Sequence, residues 1–154
     1  MELDPKCQHT ENSALRLIAR AEQCTKGLSL KLEKRGHPKT CIDAVIEKLC
    51  ILQLLDDKRF ARLWLESRLH LVRSPKRLLV SLCARGVNRD DAETALKNAL
   101  DMETEYALLL RFAGKYTRKF PKHDESEAQT RSLKFFLRSE GFSSAAVQRF
   151  LEDE

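Results

Sequence analysis

The 154-residue sequence is 42% hydrophobic and 33% charged, with a net charge of +5, a balance that suits a folded chain with a charged surface. Its 25 Leu and 14 Ala stand against 5 Val and 4 Ile, and 5 Gly with 4 Pro are too few for a hairpin-rich fold. A β-sandwich, a barrel, a collagen-like chain and a wholly disordered chain are excluded, and helix is favoured.

In chain order, residues 1–11 read as an N-terminal tail holding Cys7 and His9, a weak pair of metal-ligand candidates. Ser13–Gln23 is the first predicted helix, with Leu15, Leu17, Ile18 and Ala21 at helical spacing. Two further helices flank Gly36. Asp56–Leu71 carries Phe60, Leu63, Trp64 and Leu65, and is followed by Ser74-Pro75 as N-cap and first residue of the next helix. Asp101–Arg118 carries Tyr106, Leu109, Leu110, Ala113 and Tyr116. A polar loop at Phe120–Glu125 and a capping box at Ser126 and Gln129 come after it.

These elements repeat. Aligned on Gly36, Gly86 and Gly141, the chain has Leu28, Leu78 and Leu133 eight residues before the glycine, and Leu32, Leu82 and Leu137 four before. Ile42, Ala92 and Val147 follow at six residues after, and Ile46, Leu96 and Leu151 at ten after. Leucines four apart share a helix face, and a glycine after the last one supplies the left-handed residue that ends a helix. Asn88 and Ser143 are N-caps for the helices that follow, with Pro38 in their place in the first copy. The expected fold is all-α: three tandem three-helix repeats over 12–55, 56–100 and 101–154, in an elongated, curved body.

Chemistry is sparse. Phosphate-loop, dinucleotide, zinc-protease and esterase motifs are absent, and the four histidines are scattered. Asp56-Asp57 and Asp90-Asp91 stand at predicted helix starts, where capping is their expected role. No catalytic residue, cofactor or metal is expected. The five cysteines are odd in number and contain no CxxC, so a disulfide framework is not expected and a reducing compartment fits. Cys41, Cys50 and Cys83 read as buried packing residues. The longest apolar run, Tyr106–Leu110, falls far short of the roughly 20 residues of a membrane span. The N-terminus lacks the layout of a signal peptide. A monomer in the cytoplasm, without membrane contact, is expected.

Charge is unevenly placed. Between Arg68 and Arg89 stand six basic residues and no acid: Arg68, Arg73, Lys76, Arg77, Arg85 and Arg89. A second run holds Arg111, Lys115, Arg118, Lys119 and Lys122, interleaved with Phe112, Tyr116 and Phe120. Basic runs attract phosphates and aromatic rings stack on unpaired bases. Lys26, Lys76 and Arg131 each lie ten residues before a marker glycine, in the expected first turn of a helix, where cations oppose the helix dipole. A functional anion site around Lys76 and Arg77 would explain that placement.

The stretch Leu54-Leu55-Asp56-Asp57-Lys58-Arg59-Phe60-Ala61-Arg62 resembles the signature of the RecX family of recombinase regulators. Leu28–Gly36, Leu78–Val87 and Lys134–Ser143 are similar to that family's three repeats, so the resemblance runs from about residue 12 to 152. It departs at His37-Pro38, where an apolar residue and a cap are expected. The resemblance implies a non-enzymatic modulator, usually inhibitory, of the RecA recombinase. It also implies binding to the RecA–single-stranded DNA filament and an effect on its ATPase, strand exchange and SOS co-protease activities.

Overall fold

Asp4, Pro5 and Cys7 already begin a helix. The Asp4 carboxylate accepts the Lys6 N–H at 3.1 Å, and Pro5 occupies the first turn, where its missing N–H costs nothing. The computed structural model describes residues 2–116 and 126–153. Among these, a 3-10 turn at Pro5–Cys7 precedes nine helices: α1 (Gln8–Arg20), α2 (Thr25–Lys34), α3 (Lys39–Ile51), α4 (Asp57–Arg68), α5 (Pro75–Ala84), α6 (Arg89–Ala99), α7 (Met102–Tyr116), α8 (Glu127–Ser139) and α9 (Ser144–Glu152). The three-helix repeats are therefore α1–α3, α4–α6 and α7–α9, with no strand among the described residues.

The first eleven residues correct the expected tail. α1 starts five residues before Ser13, and Cys7 and Thr10 are buried. Cys7 is joined to Cys41 of α3 by a disulfide, which also overturns the expectation drawn from the odd cysteine count. The partners are 34 residues apart, and their pairing comes from packing of the N-terminal turn on α3, which sequence spacing does not encode. Cys24, Cys50 and Cys83 are free thiols. Cys50 is exposed rather than buried, because it faces out from the last turn of α3.

The second helix of each repeat, α2, α5 or α8, ends two residues before its marker glycine. Gly36, Gly86 and Gly141 have φ of 85°, 112° and 95°, the region that favours glycine. After α2, the Gly36 and His37 N–H groups donate to the carbonyls of Glu33 and Leu32; after α8, Gly141 and Phe142 donate to Arg138 and Leu137. This double bond pattern closes off carbonyls that the helix itself leaves open. The residue after the glycine is then turned inward: Val87 and Phe142 are buried. His37 takes that place in the first repeat, hydrogen-bonded to Thr10 Oγ1 at 2.9 Å and 5.0 Å from the His9 ring.

Caps follow the expected pattern with one shift. Asp56, Asn88, Asp101, Ser126 and Ser143 accept backbone N–H groups of α4, α6, α7, α8 and α9. α8, however, begins at Glu127, so Arg131 lies in its second turn rather than its first. The end of the predicted Asp101–Arg118 helix and the Phe120–Glu125 loop lie outside the described residues.

Two compact units divide the contacts. One comprises Met1–Leu63 with Leu82–Ala92, the other Trp64–Ser81 with Glu93–Glu154. In the first, Ala14, Leu17, Leu28, Leu32, Ile42, Val45, Leu49 and Leu55 form one core. Asp57 accepts both the backbone N–H and the hydroxyl of Thr25, at 2.7 and 2.8 Å, and so caps α2. In the second unit, Phe112 lies 4.6 Å from the Tyr116 ring, 5.4 Å from Phe142 and 5.9 Å from Phe136. The repeated leucines Leu28, Leu32, Leu78, Leu82 and Leu137 are all fully buried.

Candidate nucleic-acid interface

The N-terminus of α5 is built by contacts with the end of α8. Ser74 Oγ donates to the Glu140 carboxylate at 2.6 Å, and the Lys76 N–H donates to the Glu140 carbonyl at 2.9 Å. The Arg77 N–H donates to Ser74 Oγ at 3.3 Å. Gly141 permits this approach: a Cβ there would stand 3.0 Å from the Lys76 nitrogen and 3.2 Å from Pro75 Cβ. The first N–H groups of α5 are thus occupied. They are not the free donors that an anion site at this helix start was expected to offer.

What remains for a ligand is side-chain charge. A groove of about 730 Å³ is lined by Arg73, Lys76, Arg77 and Lys115, with Val80, Tyr116 and Glu140 among its other walls. Arg77 and Lys115 approach the Tyr116 ring at 5.6 and 5.3 Å, within cation–π range. Four cations face one carboxylate, and that carboxylate is already engaged by Ser74. The groove is therefore an electropositive trough with an aromatic wall, matched to a phosphate-bearing or carboxylate-bearing partner.

The remaining basic candidates are placed elsewhere. Arg68 lies over the Trp64 ring at 5.4 Å, and Arg111 donates to the Leu69 carbonyl at 2.7 Å. Both are thereby tied to the scaffold of the same unit. Arg85 and Arg89 are exposed in the other unit, where the Arg85 carbonyl accepts from the Cys24 thiol at 2.9 Å. Arg118, Lys119, Lys122 and Phe120 lie outside the described residues. Of the candidate stacking rings, Phe112 is buried core rather than a platform, because three aromatic neighbours surround it. Burial raises the Cys24 thiol above its ordinary pKa, which leaves it protonated and inert.

One ring was missed. Phe135 on α8 is 77% exposed. The signal is the adjacent pair Phe135-Phe136: neighbours on a helix point about 100° apart. With Leu137 buried and Phe136 stacked on Phe112, Phe135 has to face outward. Of the carboxylate pairs, Asp56 caps α4 as expected and Asp57 caps α2 rather than its own helix; at α6 the cap is Asn88, whose side-chain amide also donates to the Asp91 carboxylate.

Fold and groove together define a helical-repeat protein with a basic, aromatic-walled groove. Family models for the first and second RecX three-helix domains match residues 12–49 and 56–96. The regulatory protein RecX of Treponema pallidum (strain Nichols) is 36% identical over 151 residues, covering 97% of this chain and 87% of that protein. That of Mycobacterium marinum is 31% identical over 134 residues, covering 86% and 77%. The crystal structure of RecX from Lactobacillus salivarius superimposes with a TM-score of 0.74 at 23% identity, covering 98% of this chain and 97% of that one. The chain belongs to the RecX family of regulatory proteins. No helix of the described residues is long and apolar enough to cross a membrane.

Proposed function

We propose that this chain is a non-enzymatic regulator that binds the RecA–single-stranded DNA filament and lowers its ATPase, strand-exchange and co-protease activities in DNA repair and the SOS response. The observation that carries the reading is family membership over nearly the whole chain. The groove of Arg73, Lys76, Arg77 and Lys115 supports it, since a filament exposes nucleic-acid phosphates and protein carboxylates. Inhibition then needs no chemistry: a bound wedge that opposes protomer addition or rearrangement is sufficient. In this reading the chain acts as a cytoplasmic monomer. Arg85 and Arg89, exposed in the other unit, supply further attraction for the same partner.

The test is the recombinase's DNA-dependent ATPase, measured with and without the purified chain. ATP turnover should fall at stoichiometric or lower ratios, while the chain alone hydrolyses nothing. Unchanged turnover at saturating chain sinks the reading. An autonomous nucleic-acid-binding role is favoured by one feature, the Tyr116 ring between two cations. Tight binding to bare single-stranded DNA at physiological salt, unaltered by recombinase, would establish that role instead.

A further inference from the structure

The outward face of α8 carries a single large apolar group in a basic, polar setting. Counting about 100° per residue, Ala128, Arg131, Ser132, Phe135, Arg138 and Ser139 share one face, with Lys134 at its margin and Glu127 on the same margin two turns before the ring. All eight are exposed. Phe135, at 77% exposure, contributes to none of the ring contacts among the described residues. Arg131 lies one turn before it, with its Nε donating weakly to the Glu127 carbonyl at 3.4 Å. Arg138, one turn after, donates to the Phe142 carbonyl at 2.6 Å.

We infer that this face is a contact for single-stranded nucleic acid, with one unstacked base lying on the Phe135 ring and the flanking phosphates met by Arg131 and Lys134. The pattern separates this occupant from an apolar protein partner. A protein anchor is normally surrounded by other buried apolar groups that exclude water. Here the ring's neighbours on the face are cations, serines and one alanine. A lone flat ring between cations matches instead a base with its phosphates on either side, because every base offers a π-face and every nucleotide a negative charge. Side chains three and four residues apart on a helix are direct neighbours, so the long cationic stems reach past the ring edge. A duplex hides its base faces in the stack and would gain nothing from Phe135.

The inference deepens the filament reading by naming a contact for its nucleic-acid strand, yet it is tested without the recombinase. A failure here therefore leaves the ATPase result standing. The probe is a fluorescein-labelled oligothymidylate at low salt, read by anisotropy, with a duplex of equal length as control. Phe135→Ala should weaken single-strand binding by about 5- to 150-fold, the range expected for loss of one base stack. Phe135→Leu, which keeps apolar bulk but no π-face, should lose as much, and Phe135→Trp should bind as well as the parent. Lys134→Ala should lower the slope of log affinity against log salt by about 0.7. Circular dichroism should show all variants folded, since the ring touches no core. Duplex affinity should be the same for the parent and the Phe135 variants. The inference is overturned if the parent does not bind the oligonucleotide or if Phe135→Ala binds it unchanged. It is equally overturned if Phe135→Leu binds like the parent, or if duplex binding falls in step.

Discussion

Gly86 and Gly36 adopt similar backbones in very different surroundings. At Gly86 a Cβ would sit 2.8 Å from Lys26 Cβ and 3.3 Å from the Gly27 nitrogen, whereas nothing lies within 4 Å of one at Gly36. Gly36→Ala should cost about 1–2 kcal/mol from left-handed strain alone. Gly86→Ala should cost about 2–5 kcal/mol, because overpacking against the start of α2 adds to the strain. Urea denaturation of the two variants measures the difference. Gln53, at φ 59°, holds the same helix-ending role after α3 without being glycine, its neighbour Leu54 donating to the Leu49 carbonyl at 2.9 Å. Gln53→Gly should therefore raise stability, by about 0.5–1 kcal/mol once glycine's greater unfolded freedom is subtracted.

His37 is the other residue whose setting makes a prediction. Desolvation, then the His9 and Arg35 charges, push its pKa below the ordinary 6.5. The unfolded chain then binds the proton first, so its stabilising contribution is full above pH 6.5 and is lost as pH falls through the lower folded value. His37→Gln should flatten the melting temperature between pH 7 and the mildly acidic range relative to the parent. An equally steep decline in both proteins would refute this assignment.

At the scale of elements, the repeat is held by a recurring junction. The second residue of α2 meets Gly86, and the second residue of α5 meets Gly141. Lys26 and Lys76 thus occupy positions where a helix start abuts the glycine turn of the following repeat, and the apolar stem of Lys26 and the backbone of Lys76, rather than their charges, are what that junction meets. The N-terminal turn is held differently, by the Cys7–Cys41 disulfide across 34 residues. Chain-entropy arguments assign a loop of that size about 4 kcal/mol. Replacing both cysteines with serine should lower the melting temperature under non-reducing conditions, and dithiothreitol should produce a similar fall in the parent but none in the variant. Alkylation of the unreduced chain should label Cys50 readily and Cys24 slowly, since the Cys24 thiol is buried and bonded to the Arg85 carbonyl.

For the molecule as a whole, the decisive quantity is where charge is free to act. A net charge of +5 is modest, but four cations share one groove while Arg68 and Arg111 are committed to the scaffold. Lys76→Gln combined with Lys115→Gln should leave stability nearly unchanged, because neither ammonium group makes a salt bridge among the described residues. It should raise the concentration needed for half-inhibition of the recombinase about tenfold or more. The parent's inhibition should also weaken steeply with salt, and the double variant's less so. Undiminished inhibition by the folded double variant would remove the groove from the interface.

The sequence by itself determined the all-α class, the threefold helical repeat, its glycine turns and most of its caps. Each of these is a local property. Leu28 and Leu32 share a face because a helix repeats every 3.6 residues, and a glycine placed just after the last apolar position, as Gly86 is, supplies the left-handed residue that closes a helix. Family resemblance was legible for the same reason, since Leu54–Arg62 and the repeat motifs are contiguous. Only the tertiary structure decided the Cys7–Cys41 bond, the capture of the Lys76 N–H and the Ser74 hydroxyl by Glu140, and the choice of four cations from a much longer basic run. Ser74 and Glu140 are 66 residues apart, and no periodicity links them. Phe135 stands between the two cases: adjacency to Phe136 requires one ring to leave the core, but only packing against Phe112 selects which one.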